Sequence, residues 1–171
     1  LEDKVIRISR VYGTYDFPAD FMLCAAMNPC PCGHYPDMNR CRCTPAQVMQ
    51  YLGRISQPLL DRLDLCAEVS PVDFEGLSSG RKGESTQTIR ERVICAQDIQ
   101  RERYKIEGIQ FNGELSGAQI EKYCKMEKDA RQLLKMAFQN MPFSARAYHR
   151  ILKVARTIAD MEATESIHRH H

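Results

Sequence analysis

The chain has 171 residues, 43% of them hydrophobic and 27% charged, with a formal net charge of +2. That length buries a real core, and that composition excludes a disordered tail. The charge is too small to imply a nucleic-acid partner by itself, and no apolar run approaches the roughly 20 residues that a bilayer-spanning helix needs.

The chain starts at Leu1, with no basic segment leading into an apolar stretch, so no signal peptide is expected and a fragment or processed product is. The run V-I-R-I-S-R-V-Y from residue 5 alternates, Gly13 offers a turn and Pro18 stops the next run, which predicts a hairpin over 5–17. Residues 21–27 are nearly all apolar and read as a strand buried on both faces. Residues 28–43, with three Pro, one Gly and four Cys, read as loop. Thr44 and Pro45 look like an N-cap and first helical position, opening a short helix to about 52. Residues 63–69 alternate and predict another strand.

The polar, glycine-rich stretch 71–85 reads as a mobile linker. It coincides with a shift in charge. Residues 1–80 hold 7 Lys/Arg against 10 Asp/Glu, a net of −3, and residues 81–171 hold 17 against 12, a net of +5. Beyond it the pattern is helical. Thr86 or Thr88 caps a helix to about 104, Ser116 caps a second, a third covers 127–139, and the last runs from Ser144 to about 162. In the last, Tyr148, Ile151, Leu152, Ala155, Ile158 and Ala159 form one apolar stripe. The expected fold class is α+β: strands with short connections, then a helical bundle. No complete βαβ unit is present, which points to a missing piece before Leu1.

Eight cysteines divide into a cluster and singletons. Cys24, Cys66, Cys95 and Cys124 sit in apolar patterns and read as buried thiols. Cys30, Cys32, Cys41 and Cys43 form two C-x-C pairs in the Pro-rich loop, a pattern that fits a reducing cytosol and one metal site. Four thiolates would hold Zn²⁺ as a closed structural staple, with no open position for a substrate. C-x-C is tighter than the usual pair spacing. His34 is an alternative ligand, and unliganded thiols or disulfides are the alternatives to metal.

Five other features bear on chemistry. The stretch G-L-S-S-G-R-K-G-E-S-T from Gly76 fails the phosphate-loop template, because Arg81 stands where Gly is required. Asn28 ends the expected buried strand, where α/β sheets place ligands; locally, an Asn before Pro29 more often serves a turn. Arg62 lies between Asp61 and Asp64, either as a surface ion pair or as an arginine presented to a phosphoryl group in a neighbouring subunit. Arg146, Arg150 and Lys153 share a helical face that is ordinarily just solvated. His168, His170 and His171 read as a frayed tail, with opportunistic metal binding as the alternative.

Taken in order, F-M-L-C-A-A-M-N-P-C-P-C-G, C-x-C, R-I-S-Q-P-L-L-D-R-L-D-L and S-A-R-A-Y-H-R-I-L-K-V-A-R-T-I-A-D-M-E resemble the bacterial Mg-chelatase-like AAA+ ATPases of the ComM/YifB type, over nearly the whole chain. The resemblance implies the C-terminal part of an AAA+ core over 1–70 with its Cys-rich loop at 28–43, a linker at 71–85 and a helical lid over 86–171. It implies that Asn28 is the sensor-1 residue, Arg62 the arginine finger reaching ATP in the next protomer, and Arg146 the sensor-2 arginine. The hairpin would face a pore, with Arg7 and Arg10 as candidate DNA contacts. The parent would be a cytoplasmic hexamer using ATP and Mg²⁺ to remodel DNA, as a branch-migration helicase in natural transformation, without a membrane. Gln57 and Cys24 depart from the family's usual Gly and Val. Walker A and Walker B lie upstream in the family and are not in this chain, so the chain alone is expected not to turn over ATP. Two other readings stand beside this one: a zinc-stapled binding or assembly module, and the motor subunit of a magnesium chelatase in tetrapyrrole biosynthesis.

Overall fold

Alternation near the start becomes a two-stranded antiparallel hairpin in the computed structural model, which describes residues 4–70, 72, 74–78, 80, 83–141 and 143–171. Strand β1 (Val5–Arg10) pairs with β2 (Gly13–Pro18) from Val5↔Pro18 to Arg10↔Gly13. Gly13 opens β2 at φ +152°, a conformation that favours glycine. Arg7 and Asp16 are cross-strand partners, joined by two hydrogen bonds of 2.7 and 2.8 Å, and Ser9 meets Thr14 at 3.1 Å on the same face. The other face carries Ile6, Ile8, Tyr15 and Phe17, all exposed.

The chain divides into two compact units, Leu1–Ser56 and Gln57–His171. In the first, irregular backbone follows the hairpin and leads through the cysteine loop into helix α1 (Pro45–Leu52). Thr44 caps that helix reciprocally: its Oγ1 accepts from the Gln47 N–H at 3.3 Å, and Gln47 Oε1 accepts from the Thr44 N–H at 2.8 Å.

The second unit begins with helices α2 (Gln57–Leu60) and α3 (Phe74–Ser78), which the sequence did not announce. It continues through α4 (Thr86–Arg103), a 3₁₀ turn (Asn112–Glu114), α5 (Gly117–Tyr123), α6 (Lys128–Asn140) and α7 (Ala145–Met161). Ser85 and Ser144 cap α4 and α7, each accepting a backbone N–H at 3.1 Å. Tyr104, Leu115, Ile120, Cys124, Leu152, Ala155, Ala159 and Ile167 form the core where α5 and α7 meet. The expected linker over 71–85 lies partly outside the described residues, as does much of the phosphate-loop lookalike.

Two expected strands do not form. Residues 21–27 and 63–69 are irregular, with Met22 93% and Val69 91% exposed. A strand exists only through a partner's hydrogen bonds, and neither segment has one among the described residues. Three expected burials fail with them: Cys24 and Cys66 stand in these segments and Cys95 on the outer side of α4, all exposed. Cys124 is buried, and burial pushes its thiol up to about 11.

A polar network lies inside the helical unit. Arg156 and Asp160 are completely buried, and Arg156 Nε donates to Asp160 Oδ1 at 3.1 Å. Arg103 makes a bidentate pair with the same carboxylate. Asn112 Nδ2 donates to Asp160 Oδ2 and to Thr157 Oγ1, both at 2.9 Å, and its Oδ1 accepts from the Tyr104 hydroxyl at 2.6 Å. Arg156 also holds the carbonyls of Thr164 and Glu165, which ties the segment after α7 to that helix.

Candidate metal centre and arginine sites

Thr44 starts α1 immediately after Cys43, so the helix fixes one end of the cysteine loop. The turn Cys30–Gly33 and the hydrogen bonds from the Asp37 N–H to His34 O (2.9 Å) and the Cys41 N–H to Asp37 O (2.8 Å) fold its middle back on itself. The four sulfurs of Cys30, Cys32, Cys41 and Cys43 converge within 4.8 Å of one another. Cys30 Sγ lies 3.4 Å from Cys32 Sγ and 3.8 Å from Cys41 Sγ, and Cys32 Sγ lies 3.6 Å from Cys41 Sγ. Zinc–sulfur bonds of about 2.3 Å in a tetrahedron put sulfurs about 3.8 Å apart, so the donor set fits Zn²⁺. A disulfide would need about 2.05 Å, and all four thiols are free.

The loop's backbone also favours thiolate. The His34 N–H, then that of Arg42, draws the Cys32 thiol down to about 6. Cys43 feels the Cys32 N–H pulling it down, but burial and the neighbouring sulfurs push it up to about 12. Crowded thiols that cannot all ionise together are what a dication relieves. His34 takes part through its backbone N–H, and its imidazole is not in the cluster.

Asn28 sits two residues before Cys30 and is exposed. A Cβ on Gly33 would lie 3.9 Å from its Cγ and Nδ2, so the cysteine loop runs directly beside the Asn28 amide. Arg62 is exposed on the turn that follows α2, with its Nη1 donating to Pro58 O at 2.7 Å. Arg146 is exposed in the first turn of α7. Arg7 is held by Asp16, and its partner candidate Arg10, an odd number of residues away, projects from the opposite face of the hairpin.

The basic face of α7 is engaged, contrary to the solvated face that its pattern suggests. Arg150 reaches the carbonyls of Leu60 and Asp61, and Lys153 Nζ donates to Gly113 O at 2.8 Å. The tail after α7 is not frayed. Ile167 is buried, its N–H donates to Lys125 O at 2.8 Å and its carbonyl accepts from the Glu127 N–H at 2.9 Å. Beyond it, Glu162, His170 and His171 bring three donor atoms together. His171 Nδ1 accepts the His168 N–H at 2.9 Å, which puts its ring proton on the Nε2 that faces Glu162 and opposes ligation there.

Sequence comparison sets these sites in a family. Residues 1–77 match the family described as magnesium chelatase, subunit ChlI, and residues 83–171 match its companion, magnesium chelatase, subunit ChlI C-terminal. The chain belongs to the magnesium chelatase subunit ChlI family, in its ComM/YifB branch. It is 43% identical to the uncharacterized protein YifB of Salmonella typhimurium, 42% identical to the competence protein ComM of Haemophilus influenzae and 40% identical to YifB of Escherichia coli. Each match covers 100% of this chain and 33% of the relative, so the chain spans a third of the length of these curated relatives. Among the described residues, no helix is long and apolar enough to cross a membrane.

Proposed function

We propose that this chain is a zinc-stapled assembly segment of an Mg-chelatase-like AAA+ ATPase. The observation that carries this is the convergence of four cysteine sulfurs, two from each C-x-C pair, within 4.8 Å of one another, with those of Cys30, Cys32 and Cys41 3.4–3.8 Å apart, near the spacing of a tetrahedral tetrathiolate. A closed site of this kind supplies folding energy and not chemistry. Its purpose here is to hold the loop that runs beside Asn28. In a ring, Asn28 would orient the water attacking the γ-phosphate, and Arg62 and Arg146 would approach ATP at a subunit boundary. ATP and Mg²⁺ would be held by other parts of a longer protein, so the chain alone turns over no ATP.

Native mass spectrometry of the reduced chain tests the staple. One tightly held zinc in the wild type, lost in Cys30→Ser and Cys41→Ser, supports it. A metal-free wild type after reconstitution contradicts it.

A second reading concerns what the longer protein does. Likeness to a competence protein favours action on DNA, with a cytoplasmic hexamer as the working form. The family description favours magnesium chelation for tetrapyrrole synthesis. ATP turnover by a full-length family ATPase carrying this segment separates them: stimulation by DNA supports the first, and stimulation by a porphyrin acceptor supports the second.

A further inference from the structure

Helix α2 spans one turn, too short to persist by itself. Its end is nevertheless well determined. The Asp61 N–H donates to Gln57 O and the Arg62 N–H to Leu59 O, both at 2.9 Å, and the Leu63 N–H to Leu60 O at 3.1 Å. Gln57 Nε2 adds a bond to Asp61 Oδ1 at 3.2 Å. These bonds shape the turn but do not fix it to anything else. Carbonyls at a helix end are left over and carry the negative pole of the peptide dipoles.

Arg150 supplies an external hold. From the second turn of α7, 89 residues away in sequence, its Nη1 donates to Asp61 O at 2.5 Å, with Leu60 O at 3.5 Å from the same nitrogen. The Arg150 side chain and both carbonyl-bearing residues are half-buried. A guanidinium on a helix C-terminus makes a charge-assisted bond that water weakens less when partly covered. The carbonyl of Asp61 belongs to the same planar peptide unit as the nitrogen and Cα of Arg62. Fixing that oxygen therefore fixes the plane from which the Arg62 side chain departs. The division of the chain agrees, since the segment from Gln57 onward belongs with the helical unit.

We propose that Arg150 is the positioning residue for Arg62, clasping the turn after α2 to helix α7 so that Arg62 moves as part of the helical unit. The inference rests on the reading of Arg62 as an arginine presented to ATP at a subunit boundary. Arg150 itself touches no nucleotide. It sets where Arg62 can reach.

Two measurements test this. In the chain itself, ¹³C-carbonyl NMR follows Asp61 in wild type, Arg150→Met and Arg150→Lys, with the melting curve of each recorded alongside. A shifted Asp61 carbonyl and new fast motion over 57–63 in Arg150→Met, with the helical unit still melting cooperatively, are expected. An unmoved carbonyl overturns the clasp. In a full-length family ATPase carrying this chain, Arg62→Ala is the reference. Arg150→Met should lower kcat about tenfold with the KM for ATP unchanged, the size expected for losing one charge-assisted bond, and Arg150→Lys should recover part of it. Wild-type kcat in Arg150→Met, beside a dead Arg62→Ala, overturns the positioning role alone. Wild-type kcat in Arg62→Ala overturns the reading of Arg62 beneath it, whatever the Asp61 carbonyl does.

Discussion

Arg156 and Asp160 form an ion pair one helical turn apart on α7, closed off from water, with Nε 3.1 Å from Oδ1. The pair is the hub of the helical unit, because the same carboxylate also receives Arg103 and Asn112. Breaking a buried pair strands the partner charge. Asp160→Asn should destabilise the unit by about 3–5 kcal/mol, measured by urea denaturation. A loss below about 1 kcal/mol would show that water reaches the site.

Glu107 is one carboxylate through which the unit should respond to acid. Its carboxylate accepts from Lys122 Nζ at 2.6 Å, Tyr123 Oη at 2.7 Å and Gln119 Nε2 at 3.1 Å, and these bonds, Lys122 first, hold it down at about 2. A depressed carboxyl stabilises the fold above its ordinary range and loses that contribution as pH falls toward the folded value. The melting temperature of wild type should exceed that of Glu107→Gln above pH about 5, and the difference should shrink steadily toward pH about 2. A difference that is constant with pH would contradict the assignment.

Metal removal should act locally. The cysteine loop belongs to the unit Leu1–Ser56 and the helical core to the other. A chelator should raise amide exchange over 30–43 and leave α4 and α7 protected, as read by hydrogen–deuterium exchange with mass spectrometry. Equal loss of protection in both would show that the staple supports the whole chain.

Ser144 caps α7 through the Ala147 N–H at 3.1 Å, and that helix carries Arg146 and Arg150. Ser144→Ala should cost about 1 kcal/mol in denaturant titration, and Ser144→Asp should restore it.

Helices were the most legible part of the sequence. Thr44, Ser116 and Ser144 each announce a helix start by hydroxyl chemistry, and the structure begins α1, α5 and α7 directly after them. The strands at 21–27 and 63–69 were misread because apolar runs report a capacity to pair, and pairing requires a partner that the run itself does not encode. The stripe on α7 was right at Leu152, Ala155 and Ala159 but blind to Arg156 and Asp160, which share that face. A charged pair spaced i,i+4 looks the same from sequence whether it is buried or solvated; Arg103 and Asn112, together with the Thr164 and Glu165 carbonyls, all brought in from elsewhere, make burial affordable. The cysteine set was legible from clustering alone, and the exclusion of His34 was not, because its backbone and not its ring faces the sulfurs.

Zinc K-edge X-ray absorption on the reconstituted chain tests the central claim most directly. Four sulfur scatterers at about 2.3 Å are the predicted first shell. A shell containing nitrogen or oxygen at about 2.0–2.1 Å would contradict a staple made of Cys30, Cys32, Cys41 and Cys43.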